Sequence, residues 1–245
     1  MISTVGIKNI LVLAIAFLTF SVNSQVTNAK IVFERKTNLE KMFKDNPRVK
    51  PFLKEGVKYK IENFNLYIND SCSVFLPIES DEPEQGFMKY LTSHNKVYQN
   101  FNQDNKLVIM DMWGQETYLQ DSISVRQWKV TESKRKIGGY LCTKAIWEMD
   151  DSTRIYAWFS PDIVLSTGPE GFGGLPGTIL GLATENGTII YFAKEVVVEQ
   201  APEGILTAST KGKDVYTVAE LKKLLTEKMG QWVKPKDLDA MFSWL

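Results

Sequence analysis

Along much of this chain, apolar and polar side chains alternate with a period of two. Phe64, Leu66 and Ile68 are interleaved with Asn63, Asn65, Tyr67 and Asn69, and Trp128 and Val130 with Gln127, Lys129 and Thr131. A strand points successive side chains to opposite faces, so this pattern predicts sheets with one dry and one wet face, as in antiparallel pairing. Strands are predicted over 30–36, 60–68, 72–76, 95–102, 107–113, 115–119, 126–132, 138–149, 153–160, 178–184 and 188–199. Asp150-Asp151-Ser152 reads as one turn and Glu185-Asn186-Gly187 as another, where Asn-Gly favours the positive φ angles of type I′. Sequential strands joined by short turns make a meander. With this many strands the accumulated twist curls the sheet. The expected fold is therefore mainly β: a curved antiparallel meander, half-barrel or open barrel, with a short C-terminal helix.

The helix signal is local. Thr217-Val218-Ala219-Glu220 is a capping box, Leu221, Leu224 and Leu225 form a helical stripe, and Gly230 supplies a stop. The tail carries Trp232, Met241, Phe242, Trp244 and Leu245, which predicts that it docks on the core.

The start of the chain follows a different rule. Lys8 precedes an apolar run, Ile10–Phe20, too short to cross a bilayer, which takes about 20 residues. Small side chains follow, so residues 1–24 read as a secretory signal peptide cut before Gln25, with a second possible cut after Ala29. The first cysteine is Cys72, which argues against a lipid anchor at the cleavage site. Residues 25–245 then form a single β-rich domain, exported and periplasmic or associated with the outer membrane, with no further apolar run of spanning length.

Composition narrows the classes. The 245 residues carry 29 basic and 29 acidic groups and are 44% hydrophobic and 24% charged, which excludes disordered and multi-span membrane chains. Losing residues 1–24 removes Lys8 and no acid. No cluster of Lys and Arg stands out, and phosphate-backbone binding needs one, so nucleic acid is not an expected partner. Cys72 and Cys142 are either a disulfide, as an even count in an exported protein suggests, or two separate buried thiols.

Six of the sixteen glycines fall between Gly168 and Leu182. No Lys follows a glycine at the phosphate-loop offset and no βαβ pattern surrounds the stretch, so it is not a nucleotide loop. Gly174-Leu175-Pro176-Gly177 predicts a type II turn. The stretch reads either as a close crossing of backbone over a sheet or as the mouth of a ligand cavity. In the second reading Trp158, Phe172, Gly174, Leu175, Pro176 and Gly177 line the ligand site.

The run Trp128, Lys136–Ala145, Tyr156–Phe159, Gly168-Pro169 and Gly173-Gly174-Leu175-Pro176-Gly177-Thr178-Ile179 resembles the GLPGLI family of exported Bacteroidetes proteins. Ile31, Glu34, Asn38, Ser71 and Phe75 fit its start. Thr178 stands where the name motif has Leu. The resemblance implies an exported β-rich protein of unknown biochemical function and carries over no catalytic residue.

Chemistry-bearing residues are sparse. A Ser-His-Asp triad would have to use His94, which reads as a loop histidine. One His and two distant Cys make no zinc pattern. Met110 and Met112 share a strand face and suit either Cu(I) or, more simply, a core. Asp150-Asp151 and Asp81, Glu82 and Glu84 read as a turn and a solvated loop. No cofactor is expected. The expected function is non-enzymatic: binding of an apolar or amphiphilic ligand, or of an outer-membrane partner, on the curved sheet. An interaction module without ligand and a hydrolase are the alternatives.

Overall fold

The computed structural model describes residues 25–44, 46, 49, 51, 56–80, 86–112, 114–150, 153–230 and 235–244. The signal-peptide expectation, the acidic loop around Glu82 and most of the Asp150–Ser152 turn lie outside them. Within the described residues, twelve strands form one sheet. They are β1 (Ala29–Asn38), β2 (Tyr59–Ile68), β3 (Cys72–Pro77), β4 (Lys96–Asn100), β5 (Asn105–Met112) and β6 (Gln115–Asp121). The second half adds β7 (Lys129–Ile137), β8 (Tyr140–Glu148), β9 (Arg154–Ser160), β10 (Thr178–Thr184), β11 (Ile189–Val197) and β12 (Val215–Tyr216). Helix α1 (Leu39–Met42) is a single turn, while α2 (Val218–Met229) and α3 (Pro235–Phe242) follow the sheet.

The order across the sheet is β12-β6-β5-β4-β3-β2-β1-β11-β10-β9-β8-β7. Every ladder is antiparallel except β12 on β6. The two meanders, β1–β6 and β7–β11, join where β1 pairs β11, so the chain's first and eleventh strands lie at the centre. This order dictates curvature. Laid flat, the strands from β6 to β7 would span about 48 Å at the usual strand spacing. Residues 122–128, which connect these two strands at opposite sides of the sheet, reach roughly 29 Å at most. The sheet must bend until its borders approach, and it remains open rather than closed.

The concave side holds the core. Ile31, Phe33, Phe64, Leu66, Ile68, Phe75, Val97, Ala157, Leu182 and Tyr191 are buried in one cluster, and Leu221 and Leu225 of α2 and Leu238 and Phe242 of α3 belong to it. Phe64 stacks on Phe75 with centroids 4.9 Å apart. Met110 and Met112 belong to the same cluster, which settles them as core side chains. On the other face a smaller cluster of Leu107, Ile109 and Tyr118 is partly covered by Ala208. α2 begins as predicted: Thr217 accepts from the Glu220 N–H, Glu220 caps the Thr217 N–H, and the helix ends at Gly230.

Three local expectations are corrected. The predicted strand 126–132 begins three residues later and runs through the exposed, charged stretch to Ile137. It then turns at Gly138-Gly139, both at positive φ, which is the two-residue hairpin predicted instead at Asn186-Gly187. At the latter only Gly187 has positive φ, and the turn closes by its N–H donating to the Thr184 carbonyl at 2.9 Å.

Cys72 and Cys142 are both free. They sit on β3 and β8, with β2, β1, β11, β10 and β9 between them. That is some 25–30 Å of sheet against the Cα separation of about 7 Å that a disulfide tolerates. Burial pushes the Cys142 thiol up to about 11, the behaviour of a small core hydrophobe. Reductant is therefore expected to leave the melting temperature unchanged. Ellman's reagent should find Cys142 unreactive until the protein is unfolded. A lower melting point in reductant would restore the disulfide.

Candidate functional site

After β9 the chain leaves the sheet and crosses its concave face before re-entering as β10. Ile163 makes a parallel bridge to Val26. Farther along, the short 3-10 turn Pro169–Gly171 packs on β3 and β4, on the far side of β10, β11, β1 and β2. Phe172 and Leu175 are sealed in the core. The glycines permit this close passage. A Cβ on Gly168 would lie 2.6 Å from Ile179 Cβ, and one on Gly171 would lie 2.8 Å from Val97 Cγ1. Backbone polar groups taken from water are matched by side chains: Gln99 donates to the Gly171 carbonyl at 3.1 Å, and Trp128 Nε1 donates to the Gly173 carbonyl at 2.9 Å. Thr167 and Ser73 complete the buried set on Gln99. The glycine-rich stretch is thus a crossing that fills the bowl. Its turn is also tighter than predicted, a γ-turn at Pro176 closed by Gly177 N–H to the Leu175 carbonyl at 2.8 Å.

Ion pairs clamp this crossing to the sheet. Arg35 on β1 is 3% exposed and donates through Nη2 and Nε to Glu62 Oε2 on β2, at 2.7 and 3.0 Å. Its Nη1 faces Glu170 Oε1 at 3.6 Å and donates to Tyr191 Oη at 3.2 Å. Tyr191 Oη in turn donates to Glu170 Oε1 at 2.6 Å. Lys60 Nζ lies 3.1 Å from Glu62 Oε1, Thr92 donates to that oxygen at 2.8 Å, and His94 Nε2 meets it at 2.6 Å. Burial alone would raise the Glu62 carboxyl, but the His94 hydrogen bond and the charges of Arg35 and Lys60 hold it well below the usual carboxylate range. Glu170 moves the other way: burial raises it despite Arg35 and Tyr191. It is also one of the two described non-glycine residues with positive φ, at 54°, held there by its partners. These groups pair chiefly with one another, Lys60 also donating to the Met88 carbonyl at 3.1 Å, and His94, a third exposed, is the most open of them. The arrangement is a tether.

Beside the crossing lies a groove of about 770 Å³ at the ends of β7, β8 and β9, lined by Arg126, Lys129, Ile146, Trp147, Arg154 and Tyr156 among others. Trp147 packs edge-on to Phe172 at 6.1 Å, so the crossing forms the support beneath the groove. Arg154 is neutralised by Glu148 and Glu185, both at 3.3 Å. Arg126 lies in the 122–128 connection, with its guanidinium 4.0 Å above the Phe172 ring and 5.3 Å from that of Trp147.

The ligand residues expected from sequence are not assembled into one lining. Phe172, Leu175 and Gly177 are buried, while Gly174 and Pro176 face solvent. Trp158 points to the other face of the sheet, where it packs with Tyr156 and Phe192 under Arg135. The sequence reading missed Arg35, Glu62, Glu170 and Tyr191. One signal was present: Arg35 continues the inward phase of Ile31 and Phe33, and Lys60 and Glu62 continue that of Phe64, Leu66 and Ile68. No group of three or more His, Cys, Asp or Glu able to hold a metal occurs among the described residues, nor is any described helix long and apolar enough to cross a membrane.

Comparison with known proteins gives a local family match and a fold. A family described as "Protein of unknown function (Porph_ging)" matches residues 147–181, from the end of β8 through the whole crossing into β10. None of the curated proteins matches. Two structures of PNGF-II share the fold at 15% identity. The P21 form has a TM-score of 0.55, covering 81% of this chain and 33% of that one. The C2 form has a TM-score of 0.52, covering 78% and 31%. This chain thus spans about a third of the length of the PNGF-II chain. An uncharacterised conserved protein from Thermus thermophilus aligns over 86% of this chain and 99% of its own at 9% identity, with a TM-score of 0.41.

Proposed function

We propose that this is an exported, non-catalytic binding or accessory protein of the cell envelope, of the GLPGLI type, and that its working surface is the β7–β9 groove rather than the bowl. The observation that carries the reading is the contrast between the filled concave side and the open groove at the strand ends beside it. The chain's own glycine-rich crossing fills the bowl, so no ligand of size can sit there without unfolding it. The neighbouring groove stays open and offers aromatic, aliphatic and cationic side chains together, the mixture that suits an amphiphile. In the clamp on β1 and β2, Glu62 is committed to Arg35, Lys60, Thr92 and His94, which favours a binding role over a catalytic one.

Native mass spectrometry of the protein purified from its own envelope tests this. The wild type is expected to carry a bound small molecule as added mass, and Ile146→Trp, which fills the groove, to lose it. A wild-type spectrum at the bare mass, or an adduct that Ile146→Trp leaves untouched, would remove the groove as the ligand site.

A further inference from the structure

We infer that the groove selects an amphiphile with an anionic oxygen headgroup, recognised by Arg126. This rests on the groove being the binding surface and adds the chemistry of what enters it. Arg126 is 7% exposed yet has no carboxylate within ion-pair distance among the described residues. Its Nη2 donates to the Trp244 carbonyl at a long 3.4 Å, and its Nη1 is buried with no hydrogen-bond partner among the described residues. The contrast with Arg35 is informative: that equally buried guanidinium is met by Glu62, Glu170 and Tyr191.

A second buried cation lies nearby. Lys106 Nζ donates to Ser124 Oγ at 3.2 Å, and burial together with the Arg126 charge pushes it down to about 8, opposed by Asp121 alone. Asp121 already accepts from the Val218 N–H. Burial lowers Arg126 itself to about 10. A desolvated, unpaired guanidinium costs folding free energy, and a fold keeps one where something outside the chain completes it. The rings of Phe172 and Trp147 hold the guanidinium plane in place, with Nη1 unmatched and Nη2 only weakly engaged by Trp244, an edge that suits a carboxylate or phosphate. Ile146 and Tyr156 supply surface for an apolar body beside that head.

The test uses octanoate, octyl phosphate and octanol, each titrated into the intact protein by calorimetry. The wild type is expected to bind octanoate or octyl phosphate at least tenfold more tightly than octanol, and whichever anion binds better names the headgroup. Arg126→Gln is expected to lose at least tenfold for the anion and nothing for octanol, with a melting temperature equal to or above that of the wild type. Anion is expected to raise the melting temperature of the wild type only. Should Arg126→Gln not fold, Arg126→Lys serves: it keeps the charge, loses the fork, and should weaken the anion severalfold. Equal affinity for octanol and the anions, or full anion affinity in the variant, overturns the headgroup inference. In that case the groove reading survives only if Ile146→Trp abolishes binding. No binding of any of the three probes overturns both.

Discussion

Gly177→Ala is expected to destabilise the protein by about 4 kcal/mol or more, combining backbone strain with overpacking that has nowhere to relax. Gly177 has φ of 136°, a region other residues avoid, and an added Cβ would fall inside the contact radius of the Ser160 carbonyl oxygen and 2.8 Å from Pro161 Cα. Both obstacles are backbone. Ser160 closes β9, where it pairs with Thr178 at the first step of β10, so neither can retreat without opening that ladder. Domains of this kind are stable by roughly 5–15 kcal/mol, and the loss is a large share of that. The measurement is a denaturant or thermal melt by circular dichroism, with Gly204→Ala as control. Gly204 also has positive φ, at 77°, but nothing lies within 4 Å of the added carbon, so it reports strain alone, about 1 kcal/mol. Near-equal losses in the two variants would mean that the β9–β10 junction is looser than its contacts imply.

That junction also shows where sequence reasoning stops. The strands were legible because burial on one face imposes a period of two, and the capped helix because its cap is written in neighbouring residues. β7 was misplaced because Thr131–Lys136 is polar on both faces: it borders the sheet, and a charged border strand resists pairing with another chain. The glycine-rich stretch was recognised as a close crossing or a cavity mouth. Choosing between them needs to know that Pro169–Gly171 reaches β3 and β4, a contact between segments some 70 to 95 residues apart in sequence. The expected ligand residues are dispersed for the same reason, since Phe172 and Trp158 are close in sequence but lie on opposite faces of the sheet. The clamp was half legible. Charges in the inward phase of β1 and β2 announce a buried network, but its partners Glu170 and Tyr191 come from elements that only the tertiary fold brings near.

Glu62→Gln tests that clamp and should be the second most damaging change, at about 3–5 kcal/mol near neutral pH. Removing one member of a buried ion pair leaves the other uncompensated. Here Arg35 is left with Glu170 at 3.6 Å and the Tyr191 hydroxyl at 3.2 Å, and the charge of Lys60 loses the Glu62 carboxylate that faces it. The pH profile identifies the cause. The folded Glu62 carboxyl titrates far below its unfolded value, which lies near 4.3. Its stabilisation is therefore complete above that unfolded value and drains away as pH falls from there toward the folded one. The wild type should lose stability steeply below about pH 4.5, and Glu62→Gln should lose much less of it over the same range. Glu170 has the opposite sign. Its folded value is raised, so the native state holds that proton longer than the unfolded chain, and stability declines as pH climbs through the raised value. Glu170→Gln should flatten the profile above about pH 4.5 and leave the acid limb intact. Chemical denaturation across pH 3 to 8 separates the two carboxylates. If Glu62→Gln kept the full acid slope of the wild type, the clamp would not be what binds the crossing to the sheet.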